Sequence, residues 1–110
     1  MVSINNIVVS GKVVNTPNKF VADEINNGSI AIFNIRNDIY ISGVKKASYT
    51  LTIKCYENIA EYVDAEISAG DWVLVTGTLS SGNRSFRGGY INFPYVRALS
   101  VTRLDQEKYI

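Results

Sequence analysis

Residues 49–77 read YTLTIKCYENIAEYVDAEISAGDWVLVTG, and the hydrophobic period changes twice within them. Tyr49, Leu51, Ile53 and Cys55 alternate with Thr50, Thr52, Lys54 and Tyr56, the period of two expected of a strand with one covered face. Over residues 58–68 the repeat lengthens. Ile59, Tyr62, Val63 and Ile67 recur at helical spacing while Glu61, Asp64 and Glu66 face away. Asn58 is the expected N-cap and Gly70 the expected stop just past the end. Residues 71–79 return to strand chemistry, with Trp72 and Leu74 on one face and Val73 and Val75 on the other. The stretch predicts strand, helix, strand.

Working outward, residues 4–14 are rich in Ile and Val and are closed by the turn residues Thr16-Pro17-Asn18. The adjacent Ile7-Val8-Val9 puts apolar side chains on both faces of that strand. Asn26-Asn27-Gly28 reads as a turn into a second strand over residues 29–40, where Ile30, Ile32, Asn34 and Arg36 oppose Ala31, Phe33 and Ile35. Residues 42–46 read as a loop. Beyond residue 79 a Gly- and Ser-rich stretch predicts a hairpin with its tip near Gly88-Gly89, and a fifth strand follows over residues 90–104. Residues 1–104 thus form one domain, and residues 105–110 are expected to fray. Five strands with a helix between the third and fourth is the order of an OB-fold, a small, partly open barrel. Other all-β barrels with one helix fit the same pattern.

Composition narrows the chemistry. The chain has no histidine and a single cysteine. It therefore lacks the commonest general base and metal ligand, and it can form neither an internal disulfide nor a thiolate cluster. Alternation puts Cys55 in the core, which makes it inert. Carboxylate chemistry is the one catalytic route left open, yet Glu57, Glu61, Asp64, Glu66 and Asp71 crowd into the helical segment and read as its solvated surface. A binding protein with no cofactor and no metal is expected. No apolar run is long enough to cross a bilayer and the start lacks signal-peptide character, so a cytoplasmic location is expected.

A net charge of +1 hides an uneven distribution. Residues 39–56 carry Lys45, Lys46 and Lys54 with no acid, and residues 72–104 carry Arg84, Arg87, Arg97 and Arg103 with none. Most of the aromatics lie in the same stretches. Basic residues interleaved with aromatics suit a nucleic-acid strand, because rings stack on bases while cations follow phosphates.

The sequence resembles the DNA-binding domain of bacterial single-stranded DNA-binding proteins, the SSB family, from Ile4 to Leu104. The likeness rests on Ile4-Asn5-Asn6-Ile7-Val8-Val9-Ser10-Gly11-Lys12-Val13, on Pro17 where the family has an Asp-Pro turn, and on Gly28 followed by Ile30-Ala31-Ile32-Phe33. Its strongest part is Tyr56-Glu57-Asn58-Ile59-Ala60-Glu61 with Ala69-Gly70-Asp71-Trp72-Val73-Leu74-Val75-Thr76-Gly77. These resemble the family's aromatic-Gly-Lys-Leu-Ala-Glu helix start and its Lys-Gly-Asp-x-Val-x-Val-x-Gly strand.

The resemblance implies sequence-tolerant binding of single-stranded DNA. It assigns Tyr40 and Tyr56 to stacking positions at the ends of strands two and three. The family's aromatic that opens strand three is Thr50 here, so that platform is absent. Arg84 stands at the family's hairpin aromatic, with Phe86 two residues on and able to rebuild the site. Lys54 and Arg87 are expected on phosphates, and Lys45 and Lys46 on the adjoining loop. Phe20 and Tyr90 fit either core or site.

An apolar outer face on so small a barrel implies a partner subunit, and the family assembles as dimers and tetramers. Ile4, Asn6, Val8, Trp72 and Leu74 are therefore expected at a homo-oligomer interface. The family's acidic-tipped tail is not in this sequence, which fits either a trimmed chain or a naturally tail-less relative of the phage, plasmid or competence type. Two rival functions fit: a primosome-type replication accessory that docks onto other replication proteins, and a protein-interaction module without nucleic acid.

Overall fold

The computed structural model describes residues 4–21 and 28–104, with residues 84–86 described by their backbone alone. The expected turn at Asn26-Asn27 and the expected frayed end at 105–110 lie outside the described residues. Six strands and one helix follow in the order β1 (Ile7–Val13), β2 (Asn18–Val21), β3 (Ser29–Ile41), β4 (Val44–Tyr56), α1 (Glu57–Glu66), β5 (Trp72–Phe86) and β6 (Gly89–Leu104).

Five of the strands close a ring. β1 pairs antiparallel with β5, β5 with β6, β6 parallel with β4, β4 with β3, and β3 again with β1. This is an OB-fold, with the short β2 added on the free side of β3. The ring is closed rather than partly open, and two short seams close it: Lys12↔Arg36 with Val13↔Ile35, and Ile53↔Val96 with Lys54↔Arg97. At the first seam β1 crosses so close to β3 that a Cβ on Gly11 would lie 2.7 Å from the Arg36 carbonyl oxygen. Only glycine lets the backbones approach that far.

Strand alternation fills the interior. Val13, Phe33, Ile35, Ile53, Cys55, Val73, Val75 and Val96 are fully buried, with Val63 of α1 plugging the barrel end. Each such side chain contributes about 1.5–3 kcal/mol on burial. Cys55 lies in this core as alternation requires, and burial pushes its thiol up to about 12.

Several boundaries differ from the sequence expectation. β1 is shorter, starting at Ile7, because the Asn5 side chain makes the strand-like contacts itself: its amide donates to the Leu79 carbonyl and its Oδ1 accepts the Leu79 N–H, both at 2.8 Å. The expected loop at 42–46 is a two-residue turn, Ser42-Gly43, with φ of 53° and 79°. These values match the hairpin turn whose twist suits its strands, so β4 begins at Val44. The second hairpin turns at Arg87-Gly88, with φ of 49° and 80°, one residue before the expected tip. β5 accordingly runs past Leu79 to Phe86.

The α1 cap falls two residues early, at Tyr56, which makes no side-chain hydrogen bond, and Asn58 is already inside the first turn. It buries Ala60 and Val63 while Tyr62 stays exposed. Arg103 donates to the Glu66 carbonyl at 3.3 Å, placing a cation at the helix end where the dipole favours one. No described helix is long and apolar enough to cross a membrane.

Candidate nucleic-acid interface

The parallel seam between β4 and β6 organises the outer surface. Because Ile53 and Val96 point inward and are fully buried, their neighbours Lys54 and Arg97 point outward, as do Tyr56 on β4 and Phe93 and Tyr95 on β6. These five side chains meet. The Lys54 ammonium lies 4.2 Å from the Tyr95 ring centroid and 5.4 Å from that of Phe93. The Arg97 guanidinium lies 4.7 Å from the Tyr56 centroid, and the Phe93 and Tyr95 centroids are 6.1 Å apart with their planes tilted by 41°. Rings and cations thus alternate across the seam.

The two phenols perturb each other. Burial, then the neighbouring Tyr95 phenol, raises the Tyr56 hydroxyl above the ordinary tyrosine value. The Ser80 hydroxyl lowers Tyr95, helped by Tyr56 and by the charges of Lys54 and Arg97. Phe93 is seated differently: its ring lies across Gly82 on the facing strand, where a Cβ would fall 2.7 Å from Cζ.

The structure brings two of the expected DNA-contact residues, Lys54 and Tyr56, into this cluster. It adds Phe93, Tyr95 and Arg97, which the sequence reading did not assign. Their signal was the i, i+2, i+4 spacing, masked by Pro94 between the two rings. Pro94 is tolerated because this part of β6 lies beyond the β4 seam and is hydrogen-bonded on its β5 side.

The other expected residues are spread along the two hairpins. Tyr40 is 61% exposed near the end of β3 and lines a notch of about 220 Å³ with Ser10, Gly11, Arg36, Asn37, Asp38 and Trp72. Lys45 and Lys46 lie on strand β4 instead of a loop. Lys45 is tied to Asp38, whose Oδ1 is 3.5 Å from both its ammonium and Arg36 Nε, without hydrogen-bond geometry in either contact. Thr50 is exposed opposite Arg36. Arg84 and Phe86 pair with Ile91 and Gly89 on β6, and their side chains lie outside what is described. Arg87 sits at the hairpin tip. Phe20 and Tyr90 are both exposed, on β2 and β6, which removes them from the core.

The residues expected at a subunit interface lie on and just before β1 and on β5, and Trp72 shares the notch with Tyr40. Ile4 is 87% exposed and Val8 64%, Asn6 is exposed, and Trp72 and Leu74 are half-buried on β5. Among the described residues no group of three or more His, Cys, Asp or Glu is arranged to hold a metal ion.

One solved structure with this architecture is titled Plasmodium falciparum SSB complex with ssDNA. The two chains superpose with a TM-score of 0.81 at 18% identity, over 96% of this chain and 98% of that one. They share a fold. At that identity the likeness reaches no further, and a Plasmodium structure of the same fold says nothing of a bacterial or phage source. No family model and no curated protein matches the sequence.

Proposed function

We propose that this chain binds single-stranded DNA without sequence preference and without catalysis. The reading is carried by the Lys54, Tyr56, Phe93, Tyr95 and Arg97 cluster, which offers base-stacking rings interleaved with phosphate-binding cations on one open sheet face. Rings of this kind contribute about 1–3 kcal/mol per stacked base and tolerate any base, because every base has a π-face. That a protein of the same fold has been solved with ssDNA supports the assignment. Tyr40, Thr50, Lys46, Arg84, Phe86 and Arg87 extend the path along the two hairpins. In the cytoplasm such a protein covers exposed strands during replication, recombination or repair.

Ile4, Asn6, Val8, Trp72 and Leu74 are assigned to an interface between copies of the chain, since Ile4 and Val8 are exposed and Trp72 and Leu74 only half-buried, which leaves apolar surface around β1 and β5. Titration with oligo-dT at low and high salt, with the mass of the protein in solution measured alongside, tests both assignments. Tight, salt-sensitive binding that falls when Tyr56 and Tyr95 are both changed to Ala is the expected result. Binding unaffected by that double change would remove the site assignment, and a monomeric mass would remove the interface.

A second reading is a replication accessory that works by docking onto another protein. It draws on the apolar groove of about 290 Å³ that Ile59, Tyr62, Leu99 and Val101 line between α1 and β6. Weak oligo-dT binding beside tight binding to a replication protein is the outcome that favours it.

A further inference from the structure

One face of Tyr95 is already occupied. The Lys54 ammonium stands 4.2 Å from its centroid, and a stacked base lies about 3.5–4 Å above a ring. Ammonium and base compete for the same layer. Among the described residues no carboxylate is within ion-pair reach of Lys54: the three ion pairs join Lys19 to Glu61, and Arg36 and Lys45 to Asp38. The rings of Tyr95 and Phe93 therefore hold the ammonium, through attraction to their negative faces. Its register partner across the seam is a second cation, Arg97.

A phosphate oxygen is a stronger partner for an ammonium than a ring face is, because it accepts a charge-assisted hydrogen bond. The four-carbon stem lets the lysine head swing while its Cα stays fixed in β4.

We propose that Lys54 caps the Tyr95–Phe93 platform in the free protein and leaves it for a phosphate when a strand arrives, so that stacking at Tyr95 requires a charged backbone. This rests on the DNA-binding reading above and gives the same site a selectivity that rings alone lack. Bases presented without phosphates meet a capped ring, whereas a phosphodiester strand uncaps it.

Two probes test this: oligo-dT, and a thymine oligomer of equal length on a neutral peptide backbone. Lys54→Ala removes cap and phosphate contact together, and Lys54→Arg keeps a cation. For Lys54→Ala the expected result is a salt slope for oligo-dT reduced by about 0.7 units. At the same time its affinity for the neutral-backbone oligomer rises a few-fold, and Lys54→Arg restores both values toward wild type.

Nuclear magnetic resonance of the intact protein supplies the second readout. The Lys54 ε-methylene protons should be ring-shifted upfield in the free protein and return toward ordinary lysine values on saturation with oligo-dT. Binding of oligo-dT with these resonances unmoved overturns the proposal, as does a Lys54→Ala protein that loses affinity for both probes equally. Absence of any oligo-dT binding to the wild type overturns the DNA-binding reading itself, and the proposal with it.

Discussion

Arg97 holds its guanidinium 4.7 Å above the ring of Tyr56 across the parallel seam that closes the barrel. β4 and β6 register at only two positions there, so side chains, more than backbone ladder, join the strands on the outer surface. The pair also presents a cation on top of a candidate stacking ring. Arg97→Ala is expected to weaken oligo-dT binding and lower its salt slope by about 0.7 units. Arg97→Lys should keep the slope but recover only part of the affinity, because an ammonium lacks the planar stacking of a guanidinium. Fluorescence titration at several salt concentrations measures both.

Lys54 and Tyr56 were legible because the alternation in β4 is local: Ile53 and Cys55 must face in, so Lys54 and Tyr56 must face out. Tyr95 and Arg97 were not, because their place depends on β6 running parallel beside β4, a pairing between strands about forty residues apart that no local period encodes. The loop expected at Lys45 and Lys46 failed for a different reason. Ser42 accepts a left-handed φ of 53°, so two residues suffice to turn the chain and the lysines join the strand. β2 escaped notice because its four residues after Pro17 show no alternation of their own and pair only with β3. The order of strands and helix, by contrast, needed only patterning, and it survived each of these shifts.

Glu57, the residue after Tyr56, has φ of 55°, a left-handed conformation that costs a side-chain-bearing residue roughly 1–2 kcal/mol. The SSB-type helix start that the sequence resembles has glycine at this position. Glu57→Gly is therefore expected to raise stability. Its gain is limited because an acid in the first helical turn is favoured by the dipole and would be lost. Glycine also gives the unfolded chain more freedom, which costs about 0.5–1 kcal/mol, so the net gain expected in urea unfolding is at most about 0.5 kcal/mol. A loss of stability on this change would mean that the turn is not strained.

Glu61 links three elements: it accepts the Ser29 hydroxyl at 2.6 Å and the Lys19 ammonium at 2.9 Å, tying α1 to β3 and β2. The Ser29 hydrogen bond and then Lys19 hold its carboxyl below the ordinary value of 4.5, and the hydrogen bond to Glu61 raises Lys19 above 10.5. A lowered carboxylate contributes stability that is present above pH 4.5 and lost as pH falls through its folded value. A raised lysine contributes stability that is present below pH 10.5 and lost as pH rises through its folded value. Glu61→Gln should therefore flatten the melting temperature on both limbs. The acid limb, followed from about pH 6 to about pH 3, is the more accessible test. Equal acid sensitivity of variant and wild type would remove this assignment.

Gly82 separates binding from stability. Its missing side chain lets the Phe93 ring lie flat across β5, since a Cβ would fall 2.7 Å from Cζ and 2.9 Å from Cε1. Alanine at this position suits a strand better than glycine by roughly 0.5–1 kcal/mol, so Gly82→Ala should leave the melting temperature unchanged or raise it. The ring, however, must lift away from the strand, and with it one of the two rings over which Lys54 sits. Oligo-dT affinity is expected to drop by up to the worth of one stacked base, about 1–3 kcal/mol. A change that only loosened the hairpin would lower both quantities together. A platform displaced from its seat lowers binding alone, and calorimetry beside titration on the same sample separates the two.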